Sequence, residues 1–365
     1  MRMSVAILNF CKPRKLLIRN TFGITLMRNI KNYRRTGFTL IEILVVIAII
    51  AVLAGILLAA LSGVQKAAKK TKTTTLMQAF GRACDEFALD HGRYPGILPD
   101  SVIDGTTITP TQNALLELMG GARVKSSSST SSVVNEFDEF ENTTAIPTMT
   151  MNGWSLSFNP TRFGEGPWIN SRIYEPYFSP KSSDLEYTEF DTNDASAFSF
   201  PALVDSWDTP IIYLRAVRKS GPIIALGSND PLPQYDLPGM SMFVDNALNT
   251  NSSLLSETNQ SNEERIAWLT LMIAHPTFWE VDSSNANNEF TNGAAWGTSR
   301  GRYILISAGP NAIFLEASND QVHTDNWSPN LGNPFTLFLG NGPTGGLITP
   351  ATMETFDDVV VHGGA

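Results

Sequence analysis

The sequence predicts an α+β protein: one long N-terminal helix packed on a small antiparallel β-sheet with large loop insertions. Three observations carry this. Residues 38 to 61 form an almost unbroken apolar run of 24 residues, interrupted only by Thr39 and Glu42. Beyond it, apolar residues continue at three- and four-residue spacing as far as Leu89, the period of a half-buried helix. Further on, short segments alternate β-branched and aromatic residues, as strands do.

The chain has 365 residues and a formal net charge of −9, very unevenly placed. Nine of its 26 Lys and Arg lie in residues 1–37, which hold no Asp or Glu. This leaves 17 basic against 35 acidic residues beyond Gly37, a net of −18. Such an acidic body repels nucleic acid and anionic lipid through its overall field, so no nucleic-acid partner is expected. It suits divalent cations and basic partners. There are two cysteines, Cys11 and Cys84. With the basic leader removed, Cys84 stands alone in a helical pattern and is expected to be a buried structural thiol.

At about 1.5 Å rise per residue, the run 38–61 spans roughly 36 Å, enough to cross a bilayer with some tilt. Lys31, Arg34 and Arg35 abut it and should stay cytoplasmic, which places everything after Leu61 on the other side. A secretory signal has a shorter apolar region and a small-residue cleavage site. The helix is expected to run on through 62–94 as an amphipathic stalk with Leu76, Phe80, Ala83 and Phe87 on its apolar stripe. Gly92 and Pro95 in "HGRYPG" end it. Glu42 is the anomaly: a carboxylate in hydrocarbon costs about 2.5–3.5 kcal/mol or more, which marks it as functional by default.

Residues 95–365 form the second, α+β part. "TPTQNALLELMGG" predicts a short helix closed by Gly120 and Gly121, and "VKSSSSTSS" (124–132) a flexible loop. The aromatic, Gly- and Pro-rich stretch 154–178 predicts irregular loops with short strands. Strands are expected over 210–218 and 302–308 and in the terminal "FDDVVVHGG", with an amphipathic helix in "NEERIAWLTLMIAH". About 80 residues, 219–301, form an insertion between the first two of these strands.

"GFTLIE", with basic residues before it and an unbroken span behind it, resembles the processing and methylation motif of type IV pilins and type II secretion pseudopilins. The resemblance implies a pilin-like fold, cleavage by prepilin peptidase between Gly37 and Phe38, and N-methylation of Phe38. Glu42 becomes the fifth residue of the mature chain and the assembly residue. Met27 offers an internal start that gives an eleven-residue leader. "DSWDTPIIYL" (205–214) and "YILISAGPNAIF" are similar to two strand motifs of the major pseudopilin of type II secretion, and "DHGRYP" to its helix end. Asp208 and Ala312 stand where those motifs have glycine. In that family the loop after the second strand folds around calcium. The mapping places Asn311, Asp357 and Asp358 at that site, with Asp320 or Asp325 of the intervening loop as further oxygen donors.

The resemblance further implies a homo-oligomeric filament with other pseudopilins, an inner-membrane assembly platform and an ATPase. The expected location is the bacterial inner membrane, single-pass, with the C-terminal domain in the periplasm. A pilin of a surface, twitching or DNA-uptake pilus is the alternative of the same class. A membrane-tethered ligand-binding module, recognising its ligand through Trp268, Phe278, Trp279 and Trp296 of the insertion, is the alternative of another class. Catalysis is not expected: His91, His275, His323 and His362 have no metal-ligand spacing, and nucleophile-elbow, phosphate-loop and paired-cysteine motifs are absent.

Overall fold

The computed structural model describes residues 37–103, 108–126, 148–151, 153–169, 172–186, 200–225, 232–235, 299–316 and 356–364. It also describes 253, 255, 265, 269–270, 272–275 and 294–295. The chain divides into two compact units, Met1–Leu58 and Ala59–Ala365. Helix α1, Leu40–His91, contributes to both.

In the first unit, every described residue is exposed, including Phe38, Ile41, Leu44, Ile47 and Ile50. The helix is long and apolar enough to cross a membrane. Gly55 does not interrupt it, and a Cβ there would meet nothing within 4 Å.

In the second unit α1 carries one buried stripe: Thr73, Met77, Phe80, Ala83, Cys84 and Phe87. The sequence pattern placed Leu76 on this stripe, but it is only partly buried; Met77 and Cys84 take the inner positions. His91 is the last helical residue, and Gly92 turns the chain with φ +71°, as the Gly/Pro signal predicts. Two shorter helices follow, α2 (Asp100–Ile103) and α3 (Pro110–Met119). α3 opens on a reciprocal capping box between Thr109 and Gln112, with Pro110 in its first turn. It ends at Gly120, φ +85°.

The strands make small antiparallel sheets. β1 (Ala122–Ser126) and β2 (Thr148–Met151) flank β3 (Trp154–Phe158). Val124 to Ser126, expected in a loop, belong to β1, because their backbone groups pair with Trp154, Ser155 and Leu156 in register. The remainder of the expected loop lies outside the described residues. Two-stranded pairs follow: β4 (Trp168–Ile169) with β5 (Arg172–Ile173), and β6 (Leu185–Glu186) with β7 (Ala202–Leu203). β8 (Ile212–Arg215) precedes the insertion, where β9 (Ile224–Ala225) pairs with β10 (Ala294–Ala295). β11 (Tyr303–Ser307) then lies between β8 and β12 (Val359–Gly363). The chain thus leaves β8 and returns at its neighbour β11. Of the helix expected over 262–275, Arg265, Leu269, Thr270, Met272 and Ile273 are helical and Ala274 and His275 are not; the other positions, like Trp268, Phe278, Trp279 and Trp296, lie outside the described residues.

α1 packs on the β8–β11–β12 sheet and on α3. Phe80 meets Phe178 and Tyr213 edge-on, with ring centroids 5.2 and 5.4 Å apart. Burying side chains of this size contributes about 1.5–3 kcal/mol each. Gly81 sets the approach: a Cβ there would lie 2.5 Å from the Tyr303 hydroxyl, which one turn on donates to Asp85 Oδ2 at 3.2 Å. A second cluster, with Leu98, Ile103, Ile108, Leu116, Leu156 and Phe200, fills the space between α2, α3 and the β1–β3 sheet.

The turn before β8 locks onto the stalk. Asp205 Oδ1 accepts from the Trp207 and Thr209 amides at 2.7 and 3.0 Å, and Oδ2 from Ser307 Oγ at 2.6 Å. The Ser206 amide donates to Thr73 Oγ1 of α1 at 3.1 Å. Asp208 then adopts φ +63°, and Ala312, just past β11, φ +57°. Both are the positions where the related motifs carry glycine, and an L side chain is strained there. Ala312→Gly is therefore expected to stabilise the fold by about 0.5–1 kcal/mol. Asp208→Gly should gain less, because Asp tolerates this region better. Thermal unfolding of each variant beside the wild type checks this, and a lowered midpoint for Ala312→Gly contradicts it.

Candidate assembly site and acidic loop

The motif residues sit at the entry of α1. Gly37 and Phe38 precede the helix in irregular backbone, and Phe38 is 79% exposed. A Cβ on Gly37 would meet nothing within 4 Å, so its own fold does not require glycine there. Thr39 and Glu42 form a reciprocal box. Glu42 Oε2 accepts from the Thr39 amide at 2.7 Å and from its hydroxyl at 2.8 Å, while the Glu42 amide donates to Thr39 Oγ1 at 3.3 Å. This is the Ser/Thr-x-x-Glu capping arrangement, which satisfies amides that the first turn leaves without partners. The sequence carries this pattern as Thr39-Leu40-Ile41-Glu42. The box uses one oxygen of the carboxylate; Oε1 makes no hydrogen bond among the described residues.

At the far end of α1, His91 Nε2 lies 3.1 Å from the Tyr177 hydroxyl, which donates to Asp90 Oδ2 at 2.7 Å. The helix end is thereby tied to the segment before β6, a structural task for His91. Cys84 is free and fully buried, and burial pushes its thiol well up. Two ion pairs unforeseen from the sequence fix the chain after the stalk. Arg93 clasps Glu117 with both guanidinium arms, Nη1 to Oε2 at 2.7 Å, and Glu117 also accepts from the Gly96 amide. Arg215 Nη2 donates to Asp100 Oδ1 at 2.8 Å and to the Leu98 carbonyl at 3.2 Å. Burial pulls the Arg215 pKa down, but the Asp100 charge and hydrogen bond, with Tyr213 and Glu117, together more than offset it and leave it raised.

The acidic loop brings Asn311 and Asp357 together, with Glu316 as a third member. Asn311 Nδ2 donates to Asp357 Oδ1 and to Glu316 Oε2, each at 3.0 Å. Its Oδ1 accepts from the Ile313 amide. Both oxygens of Asp358 lie 3.2 Å from the Leu315 amide. Two carboxylates therefore converge on one point, in the manner a hard cation uses, but Asn311 faces that point with nitrogen. Asn311 supplies no oxygen there. Asp320 and Asp325 lie outside the described residues, and among the described residues no group of three His, Cys, Asp or Glu is arranged to hold a metal.

A family model for the prokaryotic N-terminal methylation motif matches residues 32–58, covering the whole of this entry turn and all but the last three residues of the apolar run. No curated protein and no solved structure matches the chain. The motif and the long apolar helix support a type IV pilin-like subunit, structural rather than enzymatic, anchored by a single membrane pass. They imply processing by prepilin peptidase and assembly with other pilin-type subunits.

The Arg215–Asp100 pair is buried, with side chains 12% and 5% exposed. Asp100→Ala leaves an uncompensated guanidinium inside and is expected to cost about 3–5 kcal/mol. The double variant Asp100→Leu, Arg215→Met should recover much of that loss. Urea unfolding of the single and double variants measures both, and equal stability of Asp100→Ala and wild type contradicts the assignment.

Proposed function

We propose that this chain is a pseudopilin: a subunit that packs helix against helix into a periplasmic filament supporting type II protein secretion. The observation that carries this reading is the exposed carboxylate of Glu42 on an otherwise apolar helix entry, four residues beyond the scissile Gly37–Phe38 bond. Cleavage there creates an ammonium on Phe38 inside the same apolar layer, and methylation keeps it. Glu42 of one subunit pairs with that ammonium on its neighbour. A misaligned neighbour leaves both charges unsatisfied, so the pair acts as a register device.

The choice of pseudopilus over surface pilus rests on the likeness of 205–214 and 303–314 to the strand motifs of the major pseudopilin and on Cys84 standing without a disulfide partner. The basic residues before the span favour a cytoplasmic leader and a periplasmic body. Calcium at the converging carboxylates of Glu316 and Asp357, with Asp358 beside them in sequence, is the proposed ligand of the acidic segment. Calcium bound there would neutralise the two converging carboxylates.

Because Glu42 also caps its helix, Glu42→Gln is the sharper test. Gln preserves the capping box and removes the charge, so the variant should insert into the membrane and lose filament incorporation. Glu42→Ala should lose both the charge and about 1 kcal/mol of capping. Filaments of normal yield from Glu42→Gln overturn the assembly role. The mass of the mature protein should correspond to a chain beginning at methylated Phe38, and Gly37→Ala should block that cut without altering the melting curve. For calcium, a chelator is expected to lower the melting temperature, and saturation at about 100 times Kd to restore about 2.7 kcal/mol. A transition indifferent to chelator removes the metal.

A further inference from the structure

A cleft of about 910 Å³ opens beside the C-terminal end of α1. Its charge runs against that of the body. Arg93, Arg215, Arg218, Lys219 and Arg302 line it, against the single acid Asp85. Arg93 and Arg215 are neutralised by Glu117 and Asp100. Arg218, Lys219 and Arg302 have no carboxylate partner among the described residues. Two of these three are nevertheless held in place. Arg218 Nη1 donates to the Pro233 carbonyl at 3.0 Å, and Arg302 Nη1 to the Arg218 carbonyl at 3.1 Å. Neutral carbonyls fix the guanidinium groups without cancelling their charge. Asp85, engaged by the Tyr303 hydroxyl, is itself pushed toward its protonated form by burial.

The same cleft exposes apolar surface. Leu89 is 86% exposed and Val217 40%, and Ile97 and Trp154 line the wall beside them. A lone inorganic anion uses none of this, and the volume is at the upper end for small-ligand sites. Nucleic acid fits poorly: phosphate-backbone binding takes on the order of six to ten contacts, and the surrounding body is acidic. We propose that this cleft receives an acidic peptide segment bearing aromatic side chains, presented by a partner chain. Its carboxylates meet Arg218, Lys219 and Arg302, and its rings cover Leu89, Val217 and Trp154.

The test uses the solubilised full chain and a fluorescent synthetic peptide, Glu-Phe-Glu-Glu-Phe-Glu, read by anisotropy. Binding should weaken as salt is raised. The counterpart Gln-Phe-Gln-Gln-Phe-Gln should bind about tenfold more weakly or less. The double variant Arg218→Ala, Lys219→Ala should lose a similar factor while keeping its melting temperature. Equal binding of both peptides overturns the proposal, as does no binding at millimolar peptide. Complete displacement by inorganic phosphate assigns the cleft to small anions instead and also overturns it. If the double variant unfolds, the two peptides on wild type still decide. The assay needs no filament, so its failure and a failure of the assembly reading are separable.

Discussion

The structure depends on one helix face. Thr73, Met77, Phe80, Ala83, Cys84 and Phe87 form the apolar face through which the stalk half of α1 holds the folded body, and each is buried. Every element that meets this face is shaped to reach it. Gly81 lets Tyr303 of the central strand come close, Thr73 holds the turn before β8, and α3 brings Leu115 and Leu118 to the same cluster. The face is narrow, so packing alone does not fix how the sheet lies on it. The polar contacts at its edges supply that: Asp85 to Tyr303, and Ser206 to Thr73.

Much of this was legible because helix period and strand alternation are local signals. The helix limits, α3 with its glycines, and the cores of β8, β11 and β12 follow from spacing alone. What was not legible depends on residues distant in sequence. β1 was hidden because Lys125 and Ser126 lead into a serine run, and only pairing with β3 makes them strand. Glu117 and Arg93 are 24 residues apart and Asp100 and Arg215 115 apart, and no periodicity links them. Glu316 is not legible in the sequence, because only the fold brings it onto Asn311 beside Asp357.

Asp208 and Ala312 show how a departure from a motif can be read physically. A missing glycine invites the inference that the backbone has changed. Here the backbone has kept the left-handed conformation and accepted the strain. At 208 a network compensates, since Asp205 gathers two amides and the Ser307 hydroxyl within a buried pocket. Burial raises the Asp205 pKa, opposed by those hydrogen bonds, so this carboxylate is held by donors rather than by a cation. The turn survives substitution because its anchor lies three residues upstream.

Glu42 is the residue whose meaning changes most with the structure. The capping box gives it a task inside its own chain, and that task explains a polar residue at this position. It does not explain a charged one. A capping interaction contributes about 1 kcal/mol, whereas an ionised carboxylate within an apolar layer costs about 2.5–3.5 kcal/mol or more. Glutamine would cap the same amide without that cost. The capping box leaves that excess unaccounted for, and the second carboxylate oxygen makes no hydrogen bond among the described residues. Before cleavage the chain has no ammonium at Phe38; after cleavage every subunit has one. Under the proposed reading, the charge at Glu42 is accounted for by the ammonium of a processed chain.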